Sequence, residues 1–278
     1  MGQSGSRRAV IFSSVLLALA AYGAGILAMA FTQNLVGRRM GLKWTLITAE
    51  VALAVPALLV IWFLAKEFPE LVRFHRLAGP APAMIVALGL AFWALSLGVF
   101  EAQYVLVKPP LEYLKQFQGL HASLKPKDAF DWVFSILAIA IAPAACEEIL
   151  FRGLITPVFR RAAGPLFAVL ASAALFGAIH VDSMAGGTKV FYRVPFAFIL
   201  GILLARLRLD TDSLWPSMIA HATLNSTTFL AVLLMEEPKD ILPDPQPLMA
   251  FAMMVVGLAI ARVLMRQLRR APKVVLAP

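Results

Sequence analysis

The 278-residue chain is 60% hydrophobic and only 15% charged, whereas a soluble domain is about 45–50% apolar and about 25% charged. That excludes an ordinary soluble globular protein and implies a polytopic membrane protein. A net charge of +9 would suit nucleic acid in a soluble chain. Here the lysines and arginines sit in loops and tails, where they set orientation and meet anionic headgroups, and no basic–aromatic module accompanies them, so nucleic acid is not an expected partner.

Apolar runs of roughly 20 residues, enough for a helix to cross a bilayer, recur from end to end; a barrel would show short alternating segments instead. The predicted fold class is all-α and polytopic, with about eight transmembrane helices near 9–31, 44–65, 82–107, 130–160, 164–182, 190–207, 213–235 and 247–265. The first span follows Arg7 and Arg8 and closes on Ala28-Met29-Ala30, imitating a secretory signal. Its apolar run is longer than the about 7–15 residues of a signal core and reads as an uncleaved anchor. Between the third and fourth spans, residues 109–128 mix Leu111, Tyr113, Leu114, Phe117 and Leu120 with Glu112, Lys115, Lys125 and Lys127. That is the composition of an interfacial amphipathic helix. The chain divides into an N-terminal three-span region (1–129), a core (130–235) and a last span with a basic tail (236–278), all in one membrane domain.

With the N-terminus inside, 13 basic residues fall inside and 10 outside, a bias in the expected direction. The cluster Arg38, Arg39 and Lys43 opposes it, and the acidic loop of Glu236, Glu237, Asp240 and Asp244 carries little topological weight. The basic tail and an even number of spans put both termini in the cytoplasm, and the basic, Ala- and Leu-rich composition suggests a bacterial inner membrane.

Ionisable groups inside spans cost free energy and point to function by default. Here they are Glu50, Glu101, Glu147, Glu148, Arg152, His180 and His221, joined by Asn225. Glu148 and Arg152 are spaced i,i+4, share a helix face and read as a structural ion pair. Glu147 points about 100° away and lacks a local partner, which leaves a buried carboxylate ready to exchange a proton. The break at 160–164 lies 16 residues after Glu147 and 17 before His180 if centred on Ala163. In an antiparallel hairpin both side chains then sit about 25 Å from the turn. His221 and Asn225, again i,i+4, share a face of the seventh span. Glu50 and Glu101 have no level partners and read as structural, and Cys146, the single cysteine, excludes an internal disulfide and any multi-cysteine metal cluster.

Two histidines and a carboxylate can activate water or bind zinc. In the metal-free form Glu147 takes a proton from water held by His180, and His221 and Asn225 donate to the oxyanion of a peptide-bond intermediate. In the metal form Glu147, His180 and His221 are ligands around an open water position. No HExxH and no intramembrane aspartate pair is present, and the GQSG at 2–5 lies in the polar tail.

The three motifs Glu147-Glu148-Ile149-Leu150-Phe151-Arg152, Phe176-Gly177-Ala178-Ile179-His180 and His221-Ala222-Thr223-Leu224-Asn225 resemble the EExxxR, FxxxH and HxxxN marks of the CPBP intramembrane proteases, the CAAX-processing family that includes the Ras-converting prenyl protease. The resemblance implies an eight-helix fold enclosing a catalytic cavity within the membrane. It implies an endopeptidase with Glu147 as general base, His180 on the water, and His221 and Asn225 at the oxyanion, with Glu148, Arg152 and Phe176 in support. It favours a glutamate mechanism without a cofactor over a zinc one. Membrane lipids and a peptide or protein substrate, membrane-proximal or C-terminal and in some cases lipidated, are the implied partners. Two other functions fit the polar residues: a non-proteolytic membrane scaffold or immunity protein, in which they serve interhelical packing, and a proton-coupled transporter. The transporter would call for repeats in corresponding halves, which the chain does not show.

Overall fold

The computed structural model describes residues 2–37, 39–183, 189–234 and 246–274. Arg38, Lys239 and the acidic loop of Glu236, Glu237, Asp240 and Asp244 lie outside the described residues. The chain is all-α: α1 (Gly2–Gly37), α2 (Leu42–Leu64), α3 (Ala81–Leu106), α4 (Leu111–Leu124), α5 (Ala129–Ile136), α6 (Ala142–Glu148), α7 (Thr156–Ala178), α8 (Val194–Thr211), α9 (Trp215–Leu234) and α10 (Pro247–Arg270). Prolines occupy the first turn of α3, α8 and α10, where the missing N–H has no helical partner to lose. The Asp128 side chain caps α5 by accepting from the Asp131 amide.

Six helical stretches among the described residues are long and apolar enough to cross a membrane, and the protein is an integral membrane protein. One of them, Ala129–Ala178, is 50 residues long and folds back on itself. Gly164 has φ 86° and ψ 174°, a conformation that only glycine adopts readily, and Pro165 follows it. The break expected after Arg160 and Arg161 is therefore present and makes two limbs of this stretch. α8 coincides with the expected sixth span but carries Arg206, Arg208 and Asp210 in its second half. The expected amphipathic helix is α4, and its Tyr113 is buried on the protein side while Leu111 is exposed.

Leu59, Trp62 and Phe63 of α2 and Leu248, Phe251 and Val255 of α10 project outward, as lipid-facing side chains do. Inside, helices meet through small residues, the usual device where no water drives association. A Cβ on Gly89 of α3 would lie 2.7 Å from the Ala220 carbonyl oxygen of α9, and one on Gly201 of α8 would lie 2.9 Å from the Ala173 Cα of α7. Two short antiparallel ladders complete the fold: Arg76–Leu77 with Lys273–Val274, and Asp182–Ser183 with Lys189–Val190. The largest fully buried side chain is not apolar; it is Arg152.

Candidate active site

The two glutamates sit on α6, between two π-helical stretches, Leu137–Ile141 and Ile149–Ile155. Each stretch precedes a proline, Pro143 or Pro157. A proline removes one i→i−4 hydrogen bond, freeing the carbonyls of Ile139 and Gly153, and its ring crowds that carbonyl. Widening the helix by one residue per turn relieves the clash, and such π segments are frequent at functional sites.

The register of the α5–α7 hairpin is set by level pairs. Thr156 and Ser172, each eight residues from Gly164, share a 3.0 Å hydrogen bond. Arg152 and Phe176, each twelve residues away, meet with the guanidinium carbon 4.5 Å from the ring centroid, a cation–π contact. Glu148 and His180 are next, each sixteen residues away. Counted from Gly164 rather than from Ala163, His180 falls opposite Glu148, one residue from Glu147. His180 lies just past the end of α7, with Nδ1 2.8 Å from the Phe176 carbonyl oxygen. That bond places the proton on Nδ1 and leaves Nε2 as an acceptor.

Glu148 and Arg152 form the expected ion pair at 2.9 Å, with both side chains fully buried. Arg152 also donates from Nη2 to the Gly201 carbonyl, 3.1 Å away, which the close α7–α8 approach at Gly201 permits. Glu148 has a second partner that its sequence spacing does not announce: His221 Nδ1 of α9, at 3.1 Å. The other ring nitrogen, Nε2, lies 3.8 Å from Glu147 Oε2, too far for a direct hydrogen bond. Glu147 Oε2 is buried and has no hydrogen-bond partner among the described residues. One imidazole therefore joins the two carboxylates, and the two differ in kind: Glu148 is held by a cation and a ring N–H, and Glu147 is held by neither.

His180 joins this group through Phe176, whose ring lies 4.8 Å from its own and 5.9 Å from that of His221. Asn225 stands one helical turn beyond His221 on α9. It is partly buried, with no side-chain hydrogen bond among the described residues. The structure thus brings Glu147, Glu148, Arg152, Phe176, His180 and His221 into one cluster, with Asn225 on the same helix face as His221. Among the described residues no group of three His, Cys, Asp or Glu side chains is gathered to hold a metal. His221 and His180 each commit Nδ1 to a protein oxygen, which leaves Nε2 as the remaining nitrogen of each ring.

Four neighbours were not placed at the site by the sequence reading. Glu50 of α2 lies within electrostatic reach of Glu147 and Cys146, where like charges oppose one another, and its Oε2 is another buried atom without a hydrogen bond among the described residues. Arg193, at the start of α8, lies within electrostatic reach of Glu147 and His180. It pairs with Asp182 at 2.5 Å, and Asp182 accepts from the Tyr113 hydroxyl of α4 at 2.8 Å. The amphipathic helix is thereby tied to the loop that follows His180. No i,i+4 spacing or shared motif connects these residues along the chain; only Pro143 and Pro157 were a local signal of the distorted helix.

Residues 129–227 match the family described as Rce1-like, type II CAAX prenyl endopeptidase Rce1-like. The match spans all three motifs and the hairpin that aligns them. No curated protein and no solved structure matches the chain.

Proposed function

Since residues 129–227 match the Rce1-like endopeptidase family and the chain is an integral membrane protein, we propose that it is a peptidase that cleaves its substrate inside the membrane, with Glu147 activating the attacking water. The observation that carries this reading is the inequality of the two carboxylates. Glu148 Oε1 accepts from both Arg152 and His221, although its Oε2, like Glu147 Oε2, is buried without a hydrogen-bond partner among the described residues. Glu147 has neither of those donors within hydrogen-bond distance of Oε2, which lies 3.8 Å from His221 Nε2. A water bridging such a gap would hydrogen-bond to both.

In the proposed reaction Glu147 removes a proton from this water and the oxygen attacks the scissile carbonyl carbon. The carbonyl electron pair moves onto oxygen as the tetrahedral intermediate forms. The Asn225 amide donates to that oxyanion. His221, its ring fixed at Nδ1 by the Glu148 carboxylate, donates to the same oxygen from Nε2. His180 Nε2 accepts from the water and orients it. The C–N bond then breaks, and the leaving amine takes the proton from Glu147. Water and one peptide bond are consumed, and one carboxyl and one amine are released. No metal step is needed, and zinc is not part of the proposal.

The family description points to a C-terminal, prenylated CAAX segment as the substrate class, and a membrane-proximal or C-terminal peptide is the form proposed for this chain. We place it, as part of this proposal, in a bacterial inner membrane with both termini cytoplasmic, a reading supported by the Ala- and Leu-rich composition and the bias of the loop charges. The test uses the purified full chain in detergent, wild type beside Glu147→Gln, with quenched peptides ending in a prenylated cysteine motif or a transmembrane tail. Cleavage by the wild type alone, unchanged by a chelator, is the expected result. Loss of cleavage on chelation would overturn the metal-free mechanism, and cleavage by both proteins would overturn the role of Glu147.

A further inference from the structure

Far from the glutamates, a cavity of about 390 Å³ opens between the α1–α2 turn and the α4–α5 connection. Its depth in the membrane is fixed by what ends there. α1 stops at Gly37, α2 starts at Leu42 and α5 starts at Ala129, so three membrane-crossing segments terminate at its rim. It therefore lies at the boundary between hydrocarbon and water, the level of lipid headgroups.

The polar wall carries Lys43, Lys125, Lys127, Asp128 and Asp131. Both carboxylates are committed to internal partners. Asp128 caps α5 through the Asp131 amide at 2.8 Å. Asp131 holds Lys43 at 2.5 Å and accepts from the Lys127 backbone N–H at 3.0 Å. Lys43 is mostly buried in that pair. The exposed Lys125 has no side-chain hydrogen bond or ion pair among the described residues, and Lys127, also exposed, meets Asp131 through its backbone amide. The cations thus outnumber the acids, and both oxygens of the Asp131 carboxylate are already engaged by Lys43 and the Lys127 amide.

The other wall is aromatic. Trp44 and Phe134 lie 5.0 Å apart, and Phe130 stacks on Phe134 at 6.5 Å with an interplanar angle of 17°. Phe130 is 80% exposed, and it starts the lipid-facing side of α5. An aromatic surface that begins in a cationic recess and runs onto a membrane-spanning helix fits a molecule with a phosphate at one end and acyl chains at the other.

We propose that this recess binds the headgroup of an anionic glycerophospholipid, its phosphate between Lys125 and Lys127 and its chains along Trp44 and Phe130. The volume is in the range of small-ligand sites, and paired cations beside an interfacial aromatic rim select phosphate-bearing lipid surfaces. A zwitterionic lipid gains less, because its own ammonium offsets the phosphate charge that Lys125 and Lys127 attract.

The experiment uses the full chain in neutral detergent, with phosphatidylglycerol or phosphatidylcholine brominated in the upper acyl chain, and reads quenching of tryptophan fluorescence. The component that disappears in Trp44→Phe reports this site. Phosphatidylglycerol is expected to quench it at several-fold lower concentration than phosphatidylcholine. The preference should vanish in Lys125→Gln/Lys127→Gln and persist in Lys125→Arg/Lys127→Arg, a pair that separates lost charge from lost folding. Equal quenching by the two lipids in the wild type, or a preference that survives the double glutamine variant, would overturn the proposal. Release of the quenched component by millimolar free glycerol phosphate would assign the recess to soluble phosphates and overturn the lipid as its ligand.

Discussion

His221 stands between two adjacent carboxylates and treats them unequally: its Nδ1 is 3.1 Å from Glu148 Oε1, and its Nε2 is 3.8 Å from Glu147 Oε2. Adjacent residues on one helix normally diverge. A ring arriving from another helix reaches both here because its two nitrogens are spread across the gap. Glu148, already paired with Arg152, fixes the ring, and the fixed ring presents its second nitrogen to Glu147.

The first prediction concerns that asymmetry. Glu147→Gln should leave the melting temperature close to wild type, since Glu147 makes no hydrogen bond at Oε2, yet lower the cleavage rate by about 10²–10⁴-fold, the usual loss of a general base. Glu148→Gln should do the reverse in kind. It strands the fully buried Arg152, and breaking one partner out of a buried pair costs about 3–5 kcal/mol. Thermal melts of both variants in one detergent decide it. Equal destabilisation by the two substitutions would mean that the glutamates share one structural role.

Much of this was legible in the chain. Hydropathy located the helices because lipid forces each span to satisfy its own backbone. The i,i+4 spacing of Glu148 and Arg152 announced their bond, and the break at 160–164 announced the hairpin. What could not be read was contact between helices distant in sequence. The Glu148–His221 bond, the approach of Glu50 to Glu147 and the Asp182–Arg193–Tyr113 chain depend on which faces of α2, α4, α8 and α9 turn inward. Spans that are apolar all round carry no periodic signal of that choice. The one-residue shift of His180 has a similar origin, since the turn centre is set by the backbone of Gly164 and not by the charge run before it.

Gly89→Ala should impair the site without touching it. The new methyl would meet Thr223 Cβ at 2.5 Å and the Ala220 carbonyl oxygen at 2.7 Å, and neither can yield without moving α9. His221 lies between those two residues. Displacement of a catalytic group by about 1 Å can cost about 10²-fold in rate, so kcat should fall by that order while KM changes little. Unchanged kinetics together with an unchanged melt would show that α9 yields at Gly89 without disturbing His221.

Gly164→Ala tests the hairpin. Nothing lies within 4 Å of the position its Cβ would take, so any penalty comes from the backbone alone. At φ 86° and ψ 174° a residue with a Cβ is strained by about 1–3 kcal/mol. Thermal stability should drop accordingly, whereas Ala163→Gly, beside it in helical backbone, should have a smaller effect. Equal losses at the two positions would show that the strain at Gly164 is relieved by local rearrangement.

The tie between the amphipathic helix and the loop that follows His180 should be sensitive to alkali. Tyr113 donates to Asp182 at 2.8 Å, and burial, followed by the neighbouring Asp182 carboxylate, pushes its hydroxyl above the usual value of 10. The folded protein therefore holds this proton more tightly than the unfolded chain does. The resulting stabilisation is present in full below about pH 10, the unfolded value, and is lost as pH rises through the higher folded value. Tyr113→Phe removes the bond at any pH and should lower stability at neutral pH by about 1–2 kcal/mol, the order of a hydrogen bond to a partly screened carboxylate. Melts of the wild type and Tyr113→Phe should then converge as the buffer is taken from neutral to strongly alkaline. If the two curves instead fall in parallel, the Tyr113 proton does not support the docking of α4, and other groups govern the alkaline limb.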